Sequence, residues 1–255
     1  MLYVTGDLHA DFDELLARVQ GLTARDCLLV CGDFGFLWNN SMREKLRLDL
    51  MNAMLPCTLL FVDGNHENFD LLAALPAEEW HGGKAHRVRS KIYHLMRGQV
   101  FTLYGRTLFT MGGASSHDID DGVLEPDDPS LRGKCRALTE AGGLYRVNHV
   151  SWWKAELPDG AEQAEGLRNL ARSGWRVDYV ASHCLPSSVQ DQFSSGLYTH
   201  DSLTDYFDVV RGCCRFNAWF CGHYHRDACY LEQFHVCYRR VLRADSAQWQ
   251  DAAAL

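Results

Sequence analysis

The 255-residue chain has no apolar run of the roughly 18 residues that a membrane-spanning helix needs. Its best stretch, 51–62, falls well short and contains Pro56. The first nine residues, MLYVTGDLH, start as a strand, with no basic region and no small-residue cleavage site. A cytoplasmic protein that does not enter the membrane is expected. An excess of basic charge is also missing: 25 Lys and Arg stand against 33 Asp and Glu, a formal net charge of −8. That excludes a basic duplex-binding face as the default, and on its own it would repel phosphate. No Cys-x-x-Cys pair occurs among the ten cysteines, which argues against a zinc ribbon or a thioredoxin-type centre. Cys27, Cys31, Cys57 and Cys221 lie in apolar runs and are expected to be buried, reduced thiols. A Gly-x-Ser-x-Gly elbow, a Gly-x4-Gly-Lys loop, repeats and low-complexity tracts are absent as well. With 47% apolar and 23% charged residues, the chain reads as one globular domain over 1–255.

What the chain has in abundance is histidine, 12 in all. It also has short apolar segments alternating with helical ones. Strands are expected at 2–5, 27–31, 58–62, 177–181 and 218–221, and helices at 11–20, 42–54 and 163–173. In the second helix Leu46, Leu50 and Met54 share a face. Segments 100–103 and 107–111 flank Tyr-Gly-Arg and read as a hairpin, and 228–242 alternates enough to form edge strands. Residues 115–150 are polar and rich in glycine and acidic residues, as expected of an inserted lid or mobile segment. Strands alternating with helices imply an α/β fold with parallel or mixed sheets.

Five polar clusters follow five apolar strands: Gly6-Asp7-x-His9, Gly32-Asp33, Gly64-Asn65-His66-Glu67, Ser182-His183 and Gly222-His223-x-His225. In an open α/β sheet the carboxyl ends of the strands line the ligand crevice, so clusters far apart in sequence can converge there. Carboxylate, imidazole and amide oxygen together form a hard-to-borderline ligand set suited to Mn, Fe, Zn or Ni. The glycines before Asp7, Asp33, Asn65 and His223 allow tight turns where a Cβ would obstruct the backbone. Seven candidate ligands, Asp7, His9, Asp33, Asn65, His183, His223 and His225, exceed one tetrahedral site. They suit two metals about 3.5–4 Å apart.

This ordered set resembles the calcineurin-like metallophosphoesterases over about residues 1–230. The resemblance implies two packed mixed β-sheets flanked by helices. It also implies two divalent ions, Mn first, with Fe, Zn or Ni as alternatives. Asp7, His9, Asp33 and His225 would hold one ion; Asp33, Asn65, His183 and His223 would hold the other, with Asp33 shared. His66 matches the family's catalytic histidine, beside the ligand Asn65. The implied chemistry is in-line attack of a metal-bridging hydroxide on a phosphomonoester or small phosphodiester, with His66 stabilising charge or protonating the leaving oxygen. Asp63, Glu67 and Asp33 are all open as partners of His66, and Glu67 is equally open as a helix cap near Asn68. Two features depart from the family pattern. Ala10 stands where Gly often follows the first His, and no Arg occurs between Asp33 and Arg43, which argues against a protein Ser/Thr phosphatase. The Trp38 region, Gly112-Gly113-Ala114 with Ser116 and Asp118, and Trp152-Trp153 are similar to a bacterial or phage branch.

The substrate contacts expected from sequence are Trp38, His117 and Asp118. Trp38, Trp152 and Trp153 fit either a core or an aromatic wall for a nucleobase. Arg87, Arg89, Arg97, Arg132 and Arg136 are either phosphate contacts or solvated charges. Cys237 and Arg243 have the Cys-x5-Arg spacing of cysteine phosphatases, but the intervening residues read as a strand that cannot cradle phosphate. The partner expected is a small phosphorylated molecule such as a nucleotide, not a nucleic-acid polymer. The alternatives are a catalytically silent binding module of the same fold and, on Gly64-Asn65-His66-Glu67, a protein Ser/Thr phosphatase.

Overall fold

The computed structural model describes residues 1–246 and the backbone of 248–250. Residues 247 and 251–255 of the expected 1–255 domain lie outside the described part. In chain order the strands are β1 (Leu2–Thr5), β2 (Cys27–Cys31), β3 (Thr58–Val62), β4 (Ala77–Trp80), β5 (Gly83–Arg89), β6 (Ile92–Leu95), β7 (Gln99–Leu103), β8 (Arg106–Met111), β9 (Val123–Leu124), β10 (Arg146–Val147), β11 (Tyr179–Ser182), β12 (Ala218–Cys221), β13 (Ala228–Tyr230), β14 (Phe234–Val236), β15 (Val241–Arg243) and β16 (Gln248–Gln250). The helices are α1 (Phe12–Arg18), α2 (Met42–Met54), α3 (Phe69–Ala73), α4 (Leu131–Glu140), α5 (Gly160–Arg172), α6 (Ser187–Ser194) and α7 (Ser202–Cys213).

Two mixed sheets carry the fold, in the orders β16-β15-β1-β2-β3-β6-β5-β4 and β13-β14-β12-β11-β8-β7. Strands β1, β2, β3 and β6 run parallel in the first, and β14, β12, β11 and β8 in the second. Alternation of side chains along each strand sorts the core into three layers. Leu28, Val30, Leu59 and Phe61 pack under α1 to α3, while Leu29, Cys31, Leu60 and Val62 face the second sheet and meet Leu108, Tyr179, Ala181 and Phe220. Phe109, Val180 and Trp219 turn outward onto α5 to α7. The architecture is therefore α/β, with two packed mixed sheets flanked by helices.

Local signals explain the element ends. Asp11 caps α1 and Ser41 caps α2, while Asp159 and Glu162 form a reciprocal capping box at α5. Gly174, at φ +67°, follows the end of α5. The β7–β8 hairpin turns on Tyr104 and Gly105, both at positive φ, as a two-residue type I′ turn requires.

Several expectations change. The α2 stripe of Leu46, Leu50 and Met54 faces outward, with 61%, 52% and 48% of each exposed; the buried side is Leu48 and Met51. Apolar residues lie on both sides of this helix, so spacing alone could not choose the inner face. The tail strands are not all edges: β14 lies between β13 and β12, and β15 between β16 and β1. Segment 77–95, given no strand from sequence, supplies β4 to β6. Within 115–150 lie the parallel pair β9–β10 and α4, which buries no side chain. No described helix is long and apolar enough to cross a membrane. All ten cysteines are free, and Cys27, Cys31, Cys57 and Cys221 are buried.

Candidate active site

The five clusters meet because β1, β2, β3, β11 and β12 run the same way within their sheets and end along one edge. The backbone there is unusual: Asp7, His9, Asp33, His223 and His225 all have positive φ. Side chains rarely adopt this region, and such strain concentrates at functional sites. Ala10 shares it at φ +58°, at the position where the family often has Gly. The glycines clear space as much as they turn the chain. A Cβ on Gly32 would lie 2.0 Å from His183 Nδ1, and one on Gly64 would lie 2.1 Å from Asp33 Oδ1.

One ligand atom from each of Asp7, His9, Asp33 and His225 lies within 4.8 Å of every other, a cluster able to hold a divalent metal ion. His9 Nε2 is 3.0 Å from His225 Nε2 and 3.6 Å from Asp33 Oδ2. The other oxygen of Asp33 faces the opposite way, 3.3 Å from His183 Nε2, while also accepting the His66 N–H at 2.9 Å. Asp33 thus presents one carboxylate oxygen to each of two imidazole groups. His183 Nδ1 donates to the Cys31 carbonyl at 2.7 Å, so Nε2 is the ring nitrogen turned toward Asp33, where it carries a proton in the ion-free site or offers its lone pair to a cation. His183 Nε2 and Asn65 Oδ1 are both buried without a hydrogen-bond partner. A native interior rarely leaves such atoms unpaired, and both are metal-ligand atoms, so the residues present fit a cation.

Without an ion, the charges of the site are balanced among its own groups. Burial opposes ionisation of Asp33, but the His183 imidazolium beside it outweighs this and holds the carboxyl well below the usual range. Burial, with the charge of Asp33 added, lifts Asp7 to about 7 despite His183. Burial works against protonated His183, yet Asp33 pushes it up to about 9. Burial and neighbouring imidazoles keep His223 well below its ordinary value, and burial lowers His9 and His225.

The chain belongs to the calcineurin-like phosphoesterases. The family model for calcineurin-like phosphoesterase matches residues 1–227, which includes every cluster at this edge. Among solved structures, this chain is similar to phosphopantetheinyl hydrolase from Mycobacterium tuberculosis, with 16% identity over 93% of this chain and 89% of that one. The TM-score of that likeness is 0.37. No curated protein matches.

Around this cluster the other candidates take distinct places. The half-buried His66 stands edge-on to His9, with ring centroids 5.2 Å apart. Of its three possible partners, Asp63 is taken by His94 and Arg97, and Glu67 holds the N–H groups of Phe34 and Gly35 at 2.7 and 3.3 Å. Asp33 engages the His66 backbone. Asn68, not Glu67, caps α3. His117 comes directly onto the cluster, its Nε2 3.0 Å from His223 Nε2. Asp118 is bound by Arg146, also in the 115–150 segment. Trp38 lines a cleft of about 620 Å³ that starts at Ala10, with Phe12, Phe36, Arg43 and Arg47. Trp153 is core, edge-on to Trp38 and bonded through Nε1 to Asp70.

Four of the five candidate arginines have other partners: Arg97 pairs with Asp63, Arg89 with Asp49, Arg136 with Glu140, and Arg87 lies over Tyr93. The Cys237–Arg243 segment is a turn before β15, not a strand throughout; its Tyr238, Arg239 and Arg240 N–H groups already converge on the Asp227 carboxylate. Sequence reasoning missed Arg18, which is 5% exposed and holds the Asp7 loop through Thr5 Oγ1 and the Gly6 carbonyl. A lone basic residue on the apolar side of α1 was the available signal.

Proposed function

We propose that this chain is a cytoplasmic, metal-dependent phosphoric ester hydrolase acting on a small phosphomonoester or phosphodiester. In this reading residues 1–255 form one domain and 115–150 is an insertion in it. Ten free thiols suit a reducing compartment. The observation that carries the activity is the pair of partnerless buried atoms, Asn65 Oδ1 and His183 Nε2, beside the four-residue cluster. Asp7, His9, Asp33 and His225 would hold one ion; Asp33, Asn65, His183 and His223 would hold a second, with Asp33 shared through its two oxygens. Manganese is the expected metal, with iron, zinc or nickel as alternatives. When bound, two divalent ions neutralise phosphate charge and acidify water.

The chain's own groups do the rest. Asp33 fixes the His66 backbone, and the His66 imidazole moves a proton to the leaving oxygen. Glu67 and Arg18 lock the loops that carry Asp33 and Asp7. Trp38, with Arg43 and Arg47 in its cleft, contacts the part of the substrate that does not react, while His117 and Asp118 approach from the insertion. An aromatic wall beside positive charge supports a nucleotide-like substrate. The −8 net charge supports a small substrate over a nucleic-acid polymer.

The test is turnover by the Mn-loaded protein of an aryl phosphate and its diester, then of phosphomonoesters, cyclic nucleotides and dinucleotides. Fewer than about one and a half ions per chain would sink the two-metal reading. Full metal content without turnover on any ester would favour the silent binding module. His66→Ala should lower kcat by roughly 10²–10⁴-fold with metal content unchanged; loss of metal would make His66 a ligand instead.

A further inference from the structure

The insertion meets the site at its root. Beyond β8, which lies beside β11 and parallel to it, the chain runs Gly112-Gly113-Ala114-Ser115-Ser116-His117 from the edge that also carries His183. Ser116 is buried, and both of its donors go to one carboxylate: its N–H to Glu156 Oε1 at 2.9 Å and its Oγ–H to Glu156 Oε2 at 2.7 Å. Glu156 is itself 2% exposed, and its carbonyl and that of Ala155 accept from the Arg97 guanidinium. With its only O–H spent on Glu156, Ser116 Oγ can only accept at its remaining contact, which is Asn65 Nδ2 at 3.4 Å. An amide held by its nitrogen has its oxygen committed to the other side, and Oδ1 is the atom of Asn65 that lacks a partner.

His117 follows immediately. Its Nε2 lies 3.0 Å from His223 Nε2, the separation that also joins His9 and His225, the two imidazoles of the four-residue metal cluster. Two imidazoles bound at right angles to one cation, at bonds of about 2.0–2.1 Å, would place their nitrogens about 3 Å apart.

We propose that Ser116 and His117, clamped by buried Glu156, complete the second cation site: Ser116 orients the Asn65 amide toward the ion, and His117 supplies a further imidazole ligand beside His223. The inference rests on the assignment of Asn65, His183 and His223 to a second divalent ion. Ser116 and Glu156 are positioning residues, and His117 is a ligand. Partners of this kind change metal affinity by about 10–100-fold.

The experiment is calorimetric titration of the ion-free, full-length protein with Mn²⁺, together with visible spectra of the cobalt-loaded form. The set comprises wild type, Asn65→Ala, Ser116→Ala, Glu156→Gln and His117→Gln, each checked for folding by circular dichroism. The wild type should take up two ions. Ser116→Ala, Glu156→Gln and His117→Gln should each weaken one step by about 10–100-fold and leave the other unchanged. His117→Gln should also shift the cobalt bands of one equivalent only. Should Glu156→Gln fail to fold, Ser116→Ala and His117→Gln decide the matter. Two steps of wild-type affinity in both would overturn the inference, provided that Asn65→Ala weakens one. If His117→Gln alone is silent, the ligand role falls and the contact is a plain imidazole–imidazole hydrogen bond. If Ser116→Ala alone is silent, the orienting role falls. Uptake of a single ion by the wild type, unchanged in Asn65→Ala, would remove the two-ion assignment and this inference with it.

Discussion

Asp63 and Asn65 leave the end of β3 two residues apart and enter two buried polar clusters of opposite character. Around Asp63 the network is closed. One carboxylate oxygen meets His94 Nε2 at 3.0 Å; the other takes Arg97 Nε at 2.8 Å and Nη2 at 2.6 Å; and His94 Nδ1 meets His86 Nδ1 at 3.1 Å. Burial opposes the charge on Asp63, but Arg97 and His94 hold its carboxyl well below the usual range. Around Asn65 the network is open, with unpaired acceptors, facing imidazoles and positive-φ backbone. A satisfied buried network holds a fold together, whereas a partly satisfied one is costly unless something else completes it. Burial is common to both clusters; completion by protein groups alone belongs to one of them.

Four measurements would break or sharpen this contrast. The largest effect is expected for Asp33→Asn, which removes the carboxylate facing both His9 and His183. It should cost at least about 10³-fold in kcat/KM, roughly 4 kcal/mol, and abolish divalent-ion uptake measured by elemental analysis. Two ions and normal turnover would show that Asp33 is not shared. Next, Arg97→Met leaves Asp63 buried without its cation and should cost about 3–5 kcal/mol in urea unfolding of the ion-free chain. A loss below about 1 kcal/mol would mean that Arg97 does not close that network. Third, Mn²⁺ at about 100 times its Kd should raise unfolding free energy by about 2.7 kcal/mol for each ion bound, about 5 kcal/mol for two, in the wild type and by nothing in Asp33→Asn.

The smallest effect concerns His86, which burial and the facing His94 imidazole push down to about 4. Between its ordinary 6.5 and 4 the unfolded chain binds a proton that folded His86 refuses. Stability should therefore fall as pH falls through that window, by about 3 kcal/mol from this group, and level off below it. His86→Gln should flatten the slope in denaturant titrations across that range, and an unchanged slope would clear His86 of the effect.

Much of the site could be read from sequence because its candidate ligands follow directly on apolar runs. Leu28-Leu29-Val30-Cys31 can only be a buried strand, so Gly32-Asp33 had to leave its end. The same holds for Asn65 after β3 and His223 after β12. Helix α7 was not assigned from sequence, although Leu203, Tyr206, Phe207 and Val210 repeat at helical spacing behind the Asp201 cap. The inner face of α2 was out of reach, because its exposed and buried apolar residues are chemically alike. Strands β4 and β5 pair antiparallel at an edge of the first sheet and carry Glu, Lys, Arg and His, so no apolar run announces them. The partner of Glu67 was equally hidden. Its carboxylate holds residues 33 and 32 positions away, a distance that no local spacing encodes.

The amino-acid sequence by itself determined which chemistry was available. Asp, His and Asn behind glycines at strand ends offer donor atoms that suit a metal ion whatever the details of packing, because donor type and strand polarity are local properties. Only the tertiary structure decided which atoms face one another. It gave one oxygen of Asp33 to each imidazole group, left Asn65 Oδ1 and His183 Nε2 without partners, and bound Asp63 to Arg97 instead of His66. It also brought His117 onto His223, 106 residues further along the chain. Those choices depend on the register of two sheets packed together, and packing is a property of the whole chain.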